Sequence, residues 1–254
     1  MSAPVHYEIE DGIAWVTIDR PEARNALNAA TRQGLWDATH RFVADDEALV
    51  MVLTAVGDKA FCAGADLNEM AGTSLEVPPA DFVPHFGRNV EVTKPTIAAV
   101  NGVAYAGGFM LAQMCDLCIA AEHARFAVTE VKVGRGSPWA VPLPSLIPPR
   151  VALEILMTGD PIDAARAYEL GLVNRVVLQE ELRAAAAEMA RTIAGNAPLS
   201  VRAAKATVGL ATELSRRDAF AAADELWEPV YRSRDAQEGP AAFREKRSPV
   251  WRGE

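Results

Sequence analysis

Two short stretches of small residues carry the chemical signal in this 254-residue chain. One is Phe61-Cys62-Ala63-Gly64-Ala65-Asp66. The other is Val100-Asn101-Gly102-Val103-Ala104-Tyr105-Ala106-Gly107-Gly108. Each sits where the pattern changes from strand to helix. Small residues let backbone N–H groups approach a ligand, and a helix N-terminus turns such donors outward with a positive dipole. Two such corners facing each other would form an oxyanion hole, a pair of donors set for negative charge on a carbonyl oxygen. Taken singly, each corner is no more than a tight strand-to-helix turn.

Other reactive residue types give weaker signals. Cys62, Cys115 and Cys118 are few, odd in number and set in apolar sequence, as reduced thiols are. Cys115 and Cys118 have C-x-x-C spacing, but no second pair or nearby histidine supports redox or metal chemistry. His6, His40, His85 and His123 form no pattern with a serine or cysteine nucleophile; His85 lies in the variable segment expected near the pocket, and an ordinary surface histidine is favoured over a role there. No metal or flavin signature is present.

These residues need a scaffold, and the length fits one large domain or a domain with an appendage, with a substantial core in either case. The formal net charge of -9 gives no basic field for nucleic acid. The N-terminus lacks a signal-peptide pattern, and no apolar run is long enough to cross a membrane, so a cytoplasmic location is expected. Val5 to Ile18 predicts a hairpin turning at Asp11-Gly12, and Asn28 is placed to cap a helix. Leu49 to Ala55 and Thr96 to Val100 are apolar runs of buried-strand type. Leu117 to Ala121 is a further strand. The spacing predicts helices over Phe86 to Val92 and Gly107 to Met114. After Pro149 helices dominate: Val151–Met157, Asp163–Leu170, Glu180–Ala194, Leu199–Leu214, Arg217–Arg232 and Ala236–Glu245, with Asp163 and Ser200 as caps. The alternation implies repeated ββα turns, an α/β fold.

Taken in order, the motifs resemble the crotonase superfamily, the enoyl-CoA hydratase/isomerase family. The matching segments are Ile18-Asp19-Arg20-Pro21 through Asn25-Ala26-Leu27-Asn28, Ala60 to Leu67, Lys94 to Gly102, Cys115-Asp116, and the tail Asp235 to Pro240 with Phe243 to Arg247. The resemblance spans nearly the whole chain. It implies a crotonase-type spiral of ββα units over residues 1–195, holding an acyl-CoA site. It also implies a helical oligomerisation region over 196–254, in a homotrimer or a dimer of trimers. Coenzyme A would enter as part of the substrate, with no separate cofactor.

The same resemblance implies site residues. Ala65 and Gly107 would supply the two N–H groups that hold a thioester enolate. The hydratases of the family use two glutamates, and their positions fall here on Met110 and Glu130. Methionine cannot carry a proton, so Met110 is expected in a core or pocket wall. Glu130 lies either on a solvated edge or in a pocket with a raised pKa, and the resemblance makes it the acid/base. One glutamate beside an oxyanion hole suffices to move a double bond between carbons, whereas hydration lacks its second carboxylate. Hydrolysis, C–C cleavage or binding without turnover remain as alternatives.

Gly134-Arg135-Gly136-Ser137-Pro138-Trp139 departs from the family's glycine-rich loop. Trp139 would either close the acyl tunnel, stack on a ring substrate or pack structurally under the C-terminal helices. Arg135 would pair with a substrate carboxylate or with Glu130. Coenzyme A phosphates need local cations, and Arg20, Arg24 and Lys59 lie near the first corner. Ala63, Asp66 and Leu67 belong to a turn resembling the adenine-binding turn. Phe243, Lys246 and Arg247 resemble tail residues that reach a neighbouring subunit's coenzyme A. Met70, Leu75, Phe82 and Phe86 line either an acyl chamber or the core.

Overall fold

The hairpin expected at the N-terminus opens the structure. In this computed structural model, which describes residues 3–73 and 76–254, β1 (Val5–Glu10) pairs antiparallel with β2 (Ile13–Ile18) across Asp11-Gly12. Both turn residues adopt positive φ, as two-residue hairpin turns require. Helix α1 (Ala29–Ala44) follows, and the Asn28 side chain accepts from the Thr31 N–H to cap it.

Three ββα turns then build the site's scaffold. In each, one strand enters a six-stranded sheet, the next enters a four-stranded sheet, and a helical turn follows. The first is β3 (Val50–Ala55), β4 (Ala60–Cys62) and α2 (Leu67–Thr73). The second is β5 (Thr96–Val100), β6 (Val103–Tyr105) and α3 (Gly107–Met114). The third is β7 (Leu117–Ala121), β8 (Arg125–Ala127) and a 3-10 turn over Thr129–Val133. Then come α4 (Leu143–Leu146), α5 (Pro149–Thr158), β9 (Ile162–Asp163), α6 (Ala164–Glu169), β10 (Arg175–Val177) and α7 (Leu182–Ala194). The larger sheet runs β1-β2-β3-β5-β7-β10 and the smaller β4-β6-β8-β9.

Period-2 alternation explains the layering. One face of the larger sheet sends Ile13, Trp15, Val50, Val52, Ile97 and Ile119 against the alanine-rich face of α7, where Ala186 and Ala190 are fully buried. Alanine lets helix and sheet approach closely. The other face packs Val16, Leu53, Ala98 and Ala120 with Phe61, Phe109 and Phe126. Polar tethers fix the bends between sheets. Asn101 Nδ2 donates to the Ala55 and Gly57 carbonyls at 2.9 and 2.6 Å. Buried Asn25 Nδ2 reaches Ala60 O at 2.7 Å and Val56 O at 3.1 Å.

Helices α8 (Pro198–Glu213), α9 (Arg216–Arg232) and α10 (Asp235–Glu245) complete the chain. Helices α8 and α9 pack on each other, and Lys205 of α8 ties them to the core through Asp116 at 2.8 Å. Helix α9 buries no residue, and Phe220, Tyr231 and Val208 are left exposed. The chain's accessible surface is 13753 Å², against about 10,900 Å² for a compact monomer of its mass. Helices α8 and α9, which bury Ala203 and no residue respectively, contribute to the surplus.

Two local expectations are corrected. Phe86 to Val92 is not a helix: Gly87 takes φ +75 and its N–H bonds to Val90 O at 3.0 Å, closing a turn. Asn89 fastens that turn, accepting from His85 N and donating to the Ala80 and Val83 carbonyls. Ser200 does not cap α8. The helix starts at Pro198, whose missing N–H and fixed φ suit the first position. Leu75 lies outside the described residues.

All three thiols are free and buried, and burial pushes the Cys62 and Cys118 pKa up to about 12 and that of Cys115 higher still. The native protein is therefore expected to show no reaction with a disulfide thiol reagent at pH 8, and all three thiols after denaturation. Rapid native labelling would contradict this packing.

Candidate active site

Three neighbouring parallel strands deliver the chemistry. In the smaller sheet, β4 pairs parallel with β6, and β6 with β8. The chain leaving β4 forms the corner at Gly64-Ala65. The chain leaving β6 forms the corner at Ala106-Gly107. The chain leaving β8 reaches Glu130. Parallel strands place their C-terminal ends on one edge, the usual position of a ligand crevice in α/β sheets. This juxtaposition is topological, and the missed strands β4, β6 and β8 create it.

The two corners meet directly. A Cβ on Gly64 would lie 3.4 Å from the Gly107 nitrogen, and one on Gly107 would lie 3.9 Å from the Ala65 nitrogen. Gly64 sits at φ +95, and its Cβ would also stand 2.8 Å from that of Ala106, so only glycine fits. Ala106 itself is held at φ +51, ψ -119, a costly conformation for a residue with a side chain. Gly108 lets α3 press onto β4, since a Cβ there would overlap the Cys62 carbonyl oxygen. Beside the first corner, Leu27 N bonds to Gly64 O at 2.8 Å and Asp66 N to Leu27 O at 3.3 Å. That ladder skips the Ala65 N–H. Gly107 is the first residue of α3, where N–H groups have no intrahelical acceptor. Among the described residues neither N–H donates to a protein acceptor.

Glu130 is 9% exposed. Its Oε1 accepts from the Trp139 indole N–H at 2.9 Å, and its Oε2 is buried with no hydrogen-bond partner. Burial raises its pKa above the usual carboxylate range, opposed in part by its own backbone N–H and by Trp139. The only other buried carboxylate among the described residues, Asp235, accepts from the Arg252 and Gly253 N–H groups in the tail. Trp139 packs edge-on against Phe109 of α3, ring centroids 5.9 Å apart. The sequence had left its role open, and the structure makes it Glu130's partner. Arg135 meets Glu130 through the backbone, its N–H donating to the Glu130 carbonyl at 2.9 Å.

Replacing Trp139 by Phe keeps the ring but removes the donor. The ionised carboxylate then loses its bond, the Glu130 pKa rises further, and the acid limb of a kcat/KM profile is expected to move to higher pH. A profile recorded on both proteins checks this, and an unmoved limb would contradict it.

The remaining expected residues divide by position. Arg24, Ala63, Asp66 and Leu67 gather at the first corner, where Ala63 N bonds to Arg24 O at 3.1 Å. Asp66 accepts from the Asn68 and Glu69 N–H groups and pairs with Arg20 at 3.3 Å. Partial burial works to raise its pKa, but these bonds and Arg20 together hold it below the usual value. Arg20 also donates to Ala26 O at 2.6 Å, so it braces the corner instead of standing ready for a phosphate. Met110 is buried one turn into α3. Phe243 and Lys246 lie at the end of α10, which packs chiefly on α9, and Phe243 is 87% exposed. Within one chain they do not join the corners.

His85 is corrected from surface to interior: it is 7% exposed, and neither ring nitrogen has a hydrogen-bond partner. Burial, with Arg88 nearby, lowers its pKa. Gln113 was missed altogether. Its signal was a lone amide in the apolar helix Gly107-Gly108-Phe109-Met110-Leu111-Ala112-Gln113-Met114.

Comparison with known proteins decides the family. The profile described as enoyl-CoA hydratase/isomerase matches residues 8–254. The chain belongs to the enoyl-CoA hydratase/isomerase family. It is 41% identical to proteins named carnitinyl-CoA dehydratase from Citrobacter koseri and Salmonella typhi, over the full length of both chains. Enoyl-CoA hydratase structures from Mycobacterium tuberculosis and Mycobacterium marinum superpose with a TM-score of 0.91. They share 39% and 38% identity, again over both whole chains. The α/β fold is therefore the crotonase fold, and the protein is an acyl-CoA enzyme of this hydratase/isomerase family. No helix among the described residues is long and apolar enough to cross a membrane.

Proposed function

We propose that the protein holds an acyl-CoA thioester enolate on the Ala65 and Gly107 N–H groups and moves protons with Glu130 alone. The observation that carries this is the pairing of two free, converging N–H donors with one buried carboxylate that keeps an unpartnered oxygen. The reaction this arrangement fits best is double-bond migration in an enoyl-CoA. Glu130 as carboxylate takes a proton from C2 of a 3-enoyl thioester. The electrons move into the carbonyl, whose oxyanion the two N–H groups stabilise by about 3–4 kcal/mol each. The protonated Glu130 then returns the proton to C4, leaving the conjugated 2-enoyl product. A raised pKa suits a group that must both accept and donate near neutrality.

A second reading, hydration of a 2-enoyl-CoA or the reverse dehydration, is favoured by the names of the 41% identical relatives. Here Glu130 would serve water and C2 in turn, with Met110 standing at the position of the first glutamate of the family's hydratases. Residues 1–195 form the acyl-CoA unit in this reading, and 196–254 the oligomerisation region of a trimer or a dimer of trimers. The exposed apolar residues of α8 and α9 and the surplus surface support the latter. Phe243 and Lys246 would then act across the interface, on a neighbour's coenzyme A.

Absorbance of the conjugated enoyl thioester separates the readings. Gain of conjugation from 3-enoyl-CoA supports isomerisation, and loss from 2-enoyl-CoA supports hydration. No change with either, despite thioester binding, removes both.

A further inference from the structure

Trp139 joins the Glu130 carboxylate to further buried polar groups that proton transfer does not account for. Its indole N–H holds Glu130, and its carbonyl accepts from Gln113 Nε2 at 3.1 Å. The His85 ring lies near the same carbonyl, which favours its charged form without making a full hydrogen bond. Apart from the Glu130 oxygen already assigned to proton transfer, three polar atoms here have no hydrogen-bond partner: Gln113 Oε1 and both ring nitrogens of His85. Both side chains are more than nine-tenths buried. Leaving a buried polar atom unpaired costs about 1–3 kcal/mol, and so many in one place mark a position for something else that is polar.

We propose that this cluster is the far end of the acyl site, and that it selects acyl-CoA substrates carrying a hydroxyl group distal to the thioester. The inference rests on the acyl-CoA reading above. Helix α3 supplies the geometry. Met110 neighbours both Gly107 and Gln113 at i,i+3 spacing, so the three trace a shallow spiral along the helix surface, with Gly107 and Gln113 about 120° apart around the axis. Gln113 is about 9 Å along the axis from the Gly107 corner, at 1.5 Å per residue. An acyl chain leaving the corner thus passes Met110, which is apolar, and arrives at Gln113, Trp139 and His85. The donor inventory favours a hydroxyl. The Gln113 amide nitrogen is committed to Trp139 O, so its oxygen points away as an acceptor. A neutral imidazole offers one donor and one acceptor. A hydroxyl donates its one proton to the Gln113 oxygen and accepts from the imidazole N–H, so it satisfies both and leaves a single imidazole nitrogen unpaired. A plain hydrocarbon end would leave them unpaired, which is the arrangement that discriminates most strongly against an analogue lacking the group.

The test is equilibrium binding, so that it does not depend on turnover. Calorimetric titration of the wild-type protein with hexanoyl-CoA and with ω-hydroxyhexanoyl-CoA compares two saturated thioesters that differ by one oxygen. The hydroxylated ligand is expected to bind about tenfold or more tightly, and Gln113→Leu or His85→Phe to bring the ratio to about one. Equal or weaker binding of the hydroxylated ligand to the wild type overturns the proposal and leaves the cluster to buried water. A preference that both variants retain overturns its assignment to these residues. If neither thioester binds, the acyl-CoA reading itself fails, and the proposal with it. If both bind but no enoyl-CoA is turned over, only the reading of Glu130 fails.

Discussion

Glu130→Gln is expected to lower turnover of enoyl-CoA about 10²- to 10⁴-fold, the range for removing a positioned proton carrier, and to raise the melting temperature. Both effects have one cause. Glutamine keeps an oxygen for the Trp139 N–H at the position of Oε1, so the local packing survives. It cannot cycle a proton. It also carries no charge to desolvate, which an ionised carboxylate in that buried position does. The pH dependence follows from the raised pKa. A carboxyl that binds its proton more tightly in the folded state stabilises the fold most when protonated. Stability is lost as pH rises from the unfolded pKa through the folded one. The Tm advantage of Glu130→Gln is therefore absent at low pH and present at neutral pH. Thermal melts at both pH values, beside the activity assay, check the pairing. An inactive variant with a lowered neutral-pH Tm would mean that Glu130 is a structural carboxylate.

Gly108→Ala is expected to be the most damaging single-methyl change in the chain, costing about 3 kcal/mol or more, in the range of overpacked cores. The added Cβ would overlap the Cys62 carbonyl oxygen and lie 2.8 Å from its carbon. Both contacts are with backbone at the end of β4, which cannot swing aside as a side chain tip would. The helix must move off the strand. Since Gly107 is the preceding residue, its N–H moves with the helix, and the gap to Ala65 widens. Chemical denaturation should show a lower midpoint at unchanged slope. Any folded fraction should lose turnover beyond the loss in folded protein. Wild-type stability in the Gly108→Ala variant would contradict the close approach of α3 and β4.

Much of this arrangement was legible from residues. The hairpin, the Asn28 cap, the buried strands and the bounds of α3 follow from alternation, turn chemistry and runs of apolar residues. The two corners were visible because small residues and glycine cluster in each. The short strands β4, β6 and β8 were not, being three residues each and too brief for a periodic signal. They are nevertheless what sets Ala65, Gly107 and Glu130 on one edge. The Glu130–Trp139 bond joins residues nine apart through an irregular loop, which no periodicity reports. His85 was misjudged because a turn held by Asn89, not a helix, carries it inward. The exposed tail residues Phe243 and Lys246 show the limit of a single chain, since their proposed partner is another copy.

The central claim is that one buried carboxylate carries the proton between two carbons while the paired N–H groups hold the enolate. Conversion of a 3-enoyl-CoA in deuterium oxide, stopped within the first turnover, tests it most directly. C4 already bears one vinylic protium; Glu130, shielded from solvent, should add to it the protium taken from C2, so the conjugated product should carry two protiums and no deuterium at C4, and Glu130→Gln should form little product in the same interval. A first-turnover product carrying one deuterium at C4 would contradict direct transfer by a single shielded carrier.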